Sequence, residues 1–230
     1  MPARILEIRR SVLNENDRRA RVLRAEFREA GLLAVNLVSS PGAGKTSLLV
    51  ETLRRLSSAH VPAAVIAGDV ETDNDARRLA SAGCPVRQIE THGACHLDAA
   101  MIARRLDGWN LETFDYLFIE NVGNLVCPAG YDLGEGLRAV ILSVAEGEDK
   151  PLKYPALFHS ADVVLVSKID LAGPCEFDRE AALRNIRAVR PDAAVIETSA
   201  RTGAGLDAWL EHLAAARCRF LTEKEAPPCV

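Results

Sequence analysis

A three-layer α/β fold with a mostly parallel central sheet of about seven strands is what the sequence predicts, on three observations. Several short runs, Tyr116–Ile119 and Val163–Val166 among them, are apolar at every position, as strands covered on both faces must be. These runs alternate with segments of helical periodicity, the pattern of repeated βαβ units. The first run leads directly into a glycine-rich loop and then a helix. With 230 residues the chain is long enough for one well-buried α/β domain plus short extensions.

Residues 1–30 read as an N-terminal helical extension. Ile5, Ile8, Val12, Leu23 and Phe27 recur at helical steps among Arg and Glu, with a break expected near Asn14 and Asn16. Such an amphipathic helix packs on the domain or on a partner subunit. Residues 31–221 form the main domain. Its strands are expected at Leu32–Val38, Ala63–Ala67, Val86–Ile89, Tyr116–Ile119, Ala139–Val144, Val163–Val166 and Ala194–Ile196. Helices fit Lys45–Ser57, Asp73–Ala82, Leu97–Leu106, Asp178–Val189 and Gly205–Leu213. Residues 222–230, with Pro227 and Pro228, read as a disordered tail.

Composition narrows the function. A net charge of −4 argues against a large nucleic-acid footprint. No run approaches the roughly 18 apolar residues that span a bilayer. Met1 to Arg10 mixes charges with isolated aliphatics, unlike a secretory leader, so a cytoplasmic location is expected. The six cysteines, at positions 84, 95, 127, 175, 218 and 229, are too scattered for a small disulfide scaffold. In a reducing compartment a clustered pair reads first as a metal site, and a lone cysteine as a small buried hydrophobe.

The loop after the first strand is Ser39-Ser40-Pro41-Gly42-Ala43-Gly44-Lys45-Thr46, a near match to the phosphate loop, with Ser39 where the first Gly usually sits. Its glycines let successive N–H groups curl toward phosphate oxygens, and the following helix adds its positive end. Gly42, Ala43, Gly44, Lys45, Thr46 and Ser47 are the expected nucleotide contacts. Lys45 would reach the β- and γ-phosphates and the Thr46 hydroxyl would coordinate Mg²⁺. The motif makes the predicted fold that of a P-loop NTPase.

Ser167-Lys168-Ile169-Asp170, late on a strand edge, resembles the Asn-Lys-x-Asp guanine box, with Ser in place of Asn. Asp170 would accept from guanine N1–H and the 2-amino group, donors that adenine lacks, while the Lys168 stem packs along the base. The next strand ends in Thr198-Ser199-Ala200-Arg201, similar to the loop that touches the guanine carbonyl. Together they favour GTP over ATP.

Two switch segments are expected. Glu120-Asn121-Val122-Gly123 resembles Asp-x-x-Gly, and the Gly123 N–H could bond the γ-phosphate and release it after hydrolysis. In Gly68-Asp69-Val70-Glu71-Thr72-Asp73, Asp69 is the second Mg²⁺ partner, directly or through water. Asp73 or Asp75 could orient the attacking water; the structural alternative for both is ordinary negative charge at a helix N-terminus.

Cys95-His96, read as opening a helix, and Cys127, four residues after Gly123, bring two thiolates and an imidazole to one strand edge. Such donors suit Zn²⁺ or Ni²⁺ rather than Mg²⁺ or Ca²⁺. Three ligands leave a four-coordinate site open to water, a further residue or a second subunit. His92 is a possible extra ligand.

These segments, with Lys150-Pro151-Leu152-Lys153-Tyr154-Pro155, together resemble the hydrogenase-maturation nickel-incorporation GTPases. The most specific runs are Cys95-His96-Leu97-Asp98-Ala99 and Glu120-Asn121-Val122-Gly123-Asn124-Leu125-Val126-Cys127-Pro128, and the likeness extends from Leu32 to Leu213. The resemblance implies a GTPase that couples a GTP-dependent homodimer to binding and transfer of nickel. It implies Cys95, His96 and Cys127 as metal ligands, GTP and GDP with Mg²⁺, and Ni²⁺ or Zn²⁺ as bound metal. It further implies a small zinc-containing nickel-delivery accessory protein and a hydrogenase large-subunit precursor as partners. A lysine crossing between subunits is implied as well, with Lys150 and Lys153 as candidates. The chain departs from some relatives in starting without a Cys-x-x-Cys-Gly-Cys nickel site or a His-rich tract, so nickel storage is not expected. His92 stands where the family loop would carry Gly. Alternative readings are a urease-type nickel GTPase, a small-molecule P-loop kinase, and a nucleotide-regulated interaction module whose Cys/His set is structural.

Overall fold

The computed structural model describes residues 3–69, 79, 82–91 and 93–222. Asp69 is described in its backbone alone, and Thr72, Asp73, Asp75, His92 and the segment 223–230 lie outside the described residues. So does most of the helix expected at Asp73–Ala82.

The long helix α1 (Ala3–Glu29) leads into β1 (Leu33–Ser39), α2 (Lys45–Ser58), β2 (Ala63–Asp69) and β3 (Val86–Glu90). Then come α3 (Ala99–Leu106), β4 (Tyr116–Glu120), β5 (Leu137–Ser143), and two short helices, α4 (Lys150–Lys153) and α5 (Pro155–His159). The chain closes with β6 (Val163–Ser167), α6 (Arg179–Val189), β7 (Ala194–Thr198) and α7 (Leu206–Thr222). Each expected strand is present, with ends shifted by one or two residues.

The sheet has seven strands among the described residues, in the order β3-β2-β4-β1-β5-β6-β7, and every pair is parallel. Complete burial of β1, β4, β5 and β6 accounts for their apolar runs. Alternation splits β5 and β6 between two cores. Ala139, Ile141 and Leu165 join the cluster that holds Leu49 of α2 and Trp209 of α7. Val140, Leu142, Val164 and Val166 join the one that holds Phe158 of α5 and Ile186 of α6. Helices therefore cover both faces. Because β1 is flanked by the later strands β4 and β5, its C-terminal end lies where connections leave in opposite directions, the place where open α/β sheets bind ligands.

Three expectations are corrected in detail. No break occurs near Asn14 and Asn16: α1 runs through both. Asn16 is buried, its Nδ2 donates to the Asp132 carbonyl at 2.8 Å, and its Oδ1 accepts from Ala99 N–H at 2.9 Å. Tertiary partners thus hold a residue whose local tendency is to end helices. Helix α3 begins at Ala99, because Asp98 caps it by accepting from Met101 N–H at 2.7 Å. Cys95 and His96 therefore sit on the preceding loop rather than opening the helix. Helix α7 continues past Leu213 to Thr222, burying Ala216 and Phe220.

Helix α1 contributes Ala20, Leu23 and Phe27 to the larger core, with Phe27 fully buried. Phe27→Ala should lower the unfolding free energy by about 3–5 kcal/mol, the cost of a large core truncation. Urea denaturation would measure it; a loss below about 1 kcal/mol would mean that α1 does not fold with the domain.

Candidate nucleotide and metal site

The phosphate loop joins β1 to α2, so the N–H groups that open α2, which have no acceptor within their own helix, face the loop. Gly42 and Gly44 have φ of +74° and +97°, values that L side chains rarely adopt, which is why this turn needs both glycines. Lys45 is buried, and its Nζ donates to Ser39 Oγ at 3.0 Å. Ser39, the departure from the usual motif, therefore supplies a partner for the loop lysine. Ser40 Oγ donates to the Glu146 carboxylate, which fastens the loop to the turn after β5.

A cleft of about 510 Å³ opens above this loop, lined by Gly42, Gly44, Lys45, Thr46, Gly123 and Lys168 among others. A second cavity of about 210 Å³ adjoins it, lined by Lys168, Asp170, Leu171, Thr198 and Ala200 among others. Gly44, Ser47 and Lys168 line both, so the two form one continuous groove from the loop to the ends of β6 and β7. Lys168 turns the chain with φ +60°, and its Nζ donates to the Gly42 carbonyl at 2.6 Å. Ser167 Oγ donates to the Ala43 carbonyl at 2.7 Å. The serine that replaces Asn thus still ties this turn to the phosphate loop. Ser199 Oγ donates to Asp170 Oδ1 at 2.6 Å, orienting the carboxylate at the cavity wall.

Strand β4 lies beside β1 and ends in buried Glu120, whose Oε1 accepts from Thr46 Oγ1 at 2.6 Å. Sequence reasoning placed Glu120 only in a switch segment and missed it as the carboxylate at Thr46. The signal that places it there is strand order. Three residues on, Gly123 approaches the loop so closely that a Cβ would lie 3.0 Å from Pro41 Cα. Of the other sequence-derived candidates, Asp69 ends β2, Asp73 and Asp75 lie outside the described residues, and so does His92. Lys150 and Lys153 share α4. The Lys150 ammonium lies 5.5 Å from the Tyr154 ring centroid, and Lys153 pairs with Asp149 at 2.5 Å.

The loop after Gly123 leads to Cys127, and the loop before α3 supplies Cys95 and His96. One ligand atom from each of the three lies within 4.8 Å of the others; Cys95 is exposed, and His96 and Cys127 are half-buried. The two sulfurs are 2.7 Å apart, and His96 Nδ1 is 3.7 Å from Cys95 Sγ. Asn124 bridges the loops: its Nδ2 donates to the Cys95 carbonyl at 3.2 Å and its Oδ1 accepts from Val126 N–H at 2.9 Å. The Cys127 sulfur beside Cys95, chiefly through their hydrogen bond, pushes the Cys95 thiol up from its ordinary value, and burial adds to this. Burial pulls the His96 imidazole down, against the opposing charge of Asp98. A neutral imidazole and two adjacent sulfurs form a soft donor set.

A family model described as CobW/HypB/UreG, nucleotide-binding domain, matches residues 33–197. Hydrogenase maturation factor HypB of Azotobacter chroococcum is 50% identical over 222 residues, covering 94% of this chain and 72% of that one. The chain belongs to the HypB family of hydrogenase maturation factors. Among HypB structures, that from Helicobacter pylori in complex with nickel superposes with a TM-score of 0.84 at 36% identity, over 92% of this chain and 99% of that one. HypB from Archaeoglobus fulgidus does so with a TM-score of 0.82 at 38% identity, over 89% and 99% of the two chains. A nucleotide-binding P-loop fold is thereby established, as the sequence predicted. Among the described residues no helix is long and apolar enough to cross a membrane.

Proposed function

We propose that this HypB family member is a GTPase that binds nickel and releases it for assembly of a nickel-dependent hydrogenase, with nucleotide state deciding when. One observation carries the reading: Gly123, seated against the phosphate loop, lies four residues before Cys127, whose sulfur is 2.7 Å from that of Cys95. A rearrangement of the 120–127 segment at the γ-phosphate would then alter the distance between two metal ligands. The nickel found with the Helicobacter pylori relative supports nickel as cargo, and the soft donor set would also accept zinc.

In this reading residues 31–221 form the GTPase domain. The N–H groups of residues 42–47 cradle the phosphates, Lys45 neutralises the β- and γ-oxygens, and Gly123 N–H senses the γ-phosphate. Asp170 reads guanine, with Lys168, Ser199 and Ala200 shaping its pocket. Thr46 and Glu120 present a hydroxyl and a carboxylate side by side at the loop, a hard oxygen pair suited to Mg²⁺, and Asp69 ends the neighbouring β2 as a further oxygen donor. Mg²⁺ bound there with the nucleotide would offset the phosphate charge. Asp73 or Asp75 orients the attacking water. A GTP-dependent homodimer completes the site, with Lys150 or Lys153 reaching across. A small zinc-containing accessory protein and the hydrogenase large-subunit precursor stand on either side of the transfer, in the cytoplasm.

Base recognition is tested at Asp170. Asp170→Asn removes two charge-assisted hydrogen bonds of about 1.5–3 kcal/mol each, so GTP affinity should fall by roughly a hundredfold or more. Xanthosine triphosphate should partly restore binding, because its 2-oxo group accepts from the new amide. Fluorescence titration giving unchanged GTP affinity would remove the guanine reading.

The metal set has a pH signature. The Cys95 thiol, held above its ordinary value, is protonated through neutrality, so an entering metal must displace that proton. The lowered His96 imidazole remains neutral to lower pH than an ordinary histidine and does not compete. Nickel affinity should therefore rise between pH 6 and pH 8, roughly tenfold per unit for each proton released. Calorimetry in buffers of different ionisation enthalpy would count those protons. A flat profile, or wild-type affinity in Cys127→Ala, would mean that the metal binds elsewhere.

A further inference from the structure

Residues 131–135 are held by buried polar contacts. Arg138 and Glu135 pair at 2.6 Å with side chains only 10% and 5% exposed. Such a pair persists where its remaining donors and acceptors are also met. Glu135 Oε1 accepts from Arg138 Nε at 2.8 Å and from Asn36 Nδ2 at 3.0 Å, and Oε2 accepts from Leu133 N–H at 2.7 Å. Arg138 Nη1 donates to Ser160 Oγ at 3.1 Å, and Nη2 to the Tyr131 carbonyl at 2.7 Å. Register accounts for the reach, since Asn36 and Arg138 are partners across β1 and β5. The Asp132 carbonyl accepts from Asn16 of α1, and the Asp132 carboxylate pairs with Arg24 at 2.5 Å.

Two successive carbonyls, of Tyr131 and Asp132, are thus fixed, one from β5 and one from α1. Asn16 also accepts from Ala99 N–H, three residues after His96, so one side chain holds both loops. Between them the Tyr131 ring stacks on the His96 imidazole, with centroids 3.8 Å apart and planes at 29°. We propose that Tyr131 is a positioning residue for the metal site, fixing the imidazole plane of His96 so that it meets the two thiols already oriented. This rests on Cys95, His96 and Cys127 being the ligands. An imidazole on a loop loses rotamer freedom when a metal arrives, and a partner that orders it beforehand raises affinity. The usual partner is a hydrogen-bond acceptor on the other ring nitrogen. A ring stack orders the imidazole while engaging neither nitrogen.

Cobalt(II) is the probe, because its visible and near-ultraviolet bands report thiolate and imidazole coordination. Wild type and Tyr131→Phe, which keeps the ring, should give the same spectrum and affinity. Tyr131→Leu, which keeps bulk without a ring, should bind cobalt about tenfold more weakly, with a spectrum shifted toward that of His96→Ala. In the metal-free protein the His96 ring protons should resonate upfield in wild type and Tyr131→Phe, and move downfield in Tyr131→Leu. Wild-type spectrum and affinity in Tyr131→Leu would overturn the positioning role alone. A wild-type protein without a cobalt–thiolate band would overturn the metal reading and the positioning role with it.

Discussion

The seat of Gly123 on Pro41 is the contact on which the rest of the site depends. A single methyl group there would sit 3.0 Å from the Pro41 backbone, so the end of β4 and the phosphate loop share one surface with no slack. Upstream, Glu120 meets Thr46; downstream, Asn124 ties the same segment to the Cys95 carbonyl. Eight residues, 120–127, therefore touch the nucleotide groove at one end and reach the Cys95, His96 and Cys127 cluster at the other. Close-packed contacts of this kind favour discrete rearrangements over gradual ones, which suits a switch.

Two of the departures from the consensus motifs are informative about the groove. Ser39 replaces a glycine and becomes a hydrogen-bond partner of Lys45; Ser167 replaces an asparagine and still reaches the Ala43 carbonyl. At the first place the serine adds an oxygen that accepts from the loop lysine; at the second its hydroxyl donates to a loop carbonyl.

Much of this was legible in the chain. The strands could be read because parallel strands buried on both faces leave unbroken apolar runs, and the phosphate loop because its glycines have to adopt left-handed backbone. The grouping of Cys95 and His96 with Cys127 followed from two loops at one strand edge and was strengthened by family resemblance, and the geometry brings the three together. What could not be read were contacts set by strand order and tertiary pairing. Glu120 reaches Thr46 because β4 lies beside β1. Asn16 continues a helix because Asp132 and Ala99 satisfy its amide. Asn36, polar at the centre of an apolar strand, has a reason only once Glu135 and Arg138 are beside it. Local propensity carries no information about such partners.

The central claim is that nucleotide state and metal binding are coupled through the 120–127 segment. Coupling of this kind is reciprocal and commonly amounts to about 1–3 kcal/mol. Nickel titrations of the protein loaded with GDP and with a non-hydrolysable GTP analogue measure it directly. The account predicts affinities that differ by about fivefold or more, with the difference lost in Cys127→Ala. Equal nickel affinities in the two nucleotide states would contradict it.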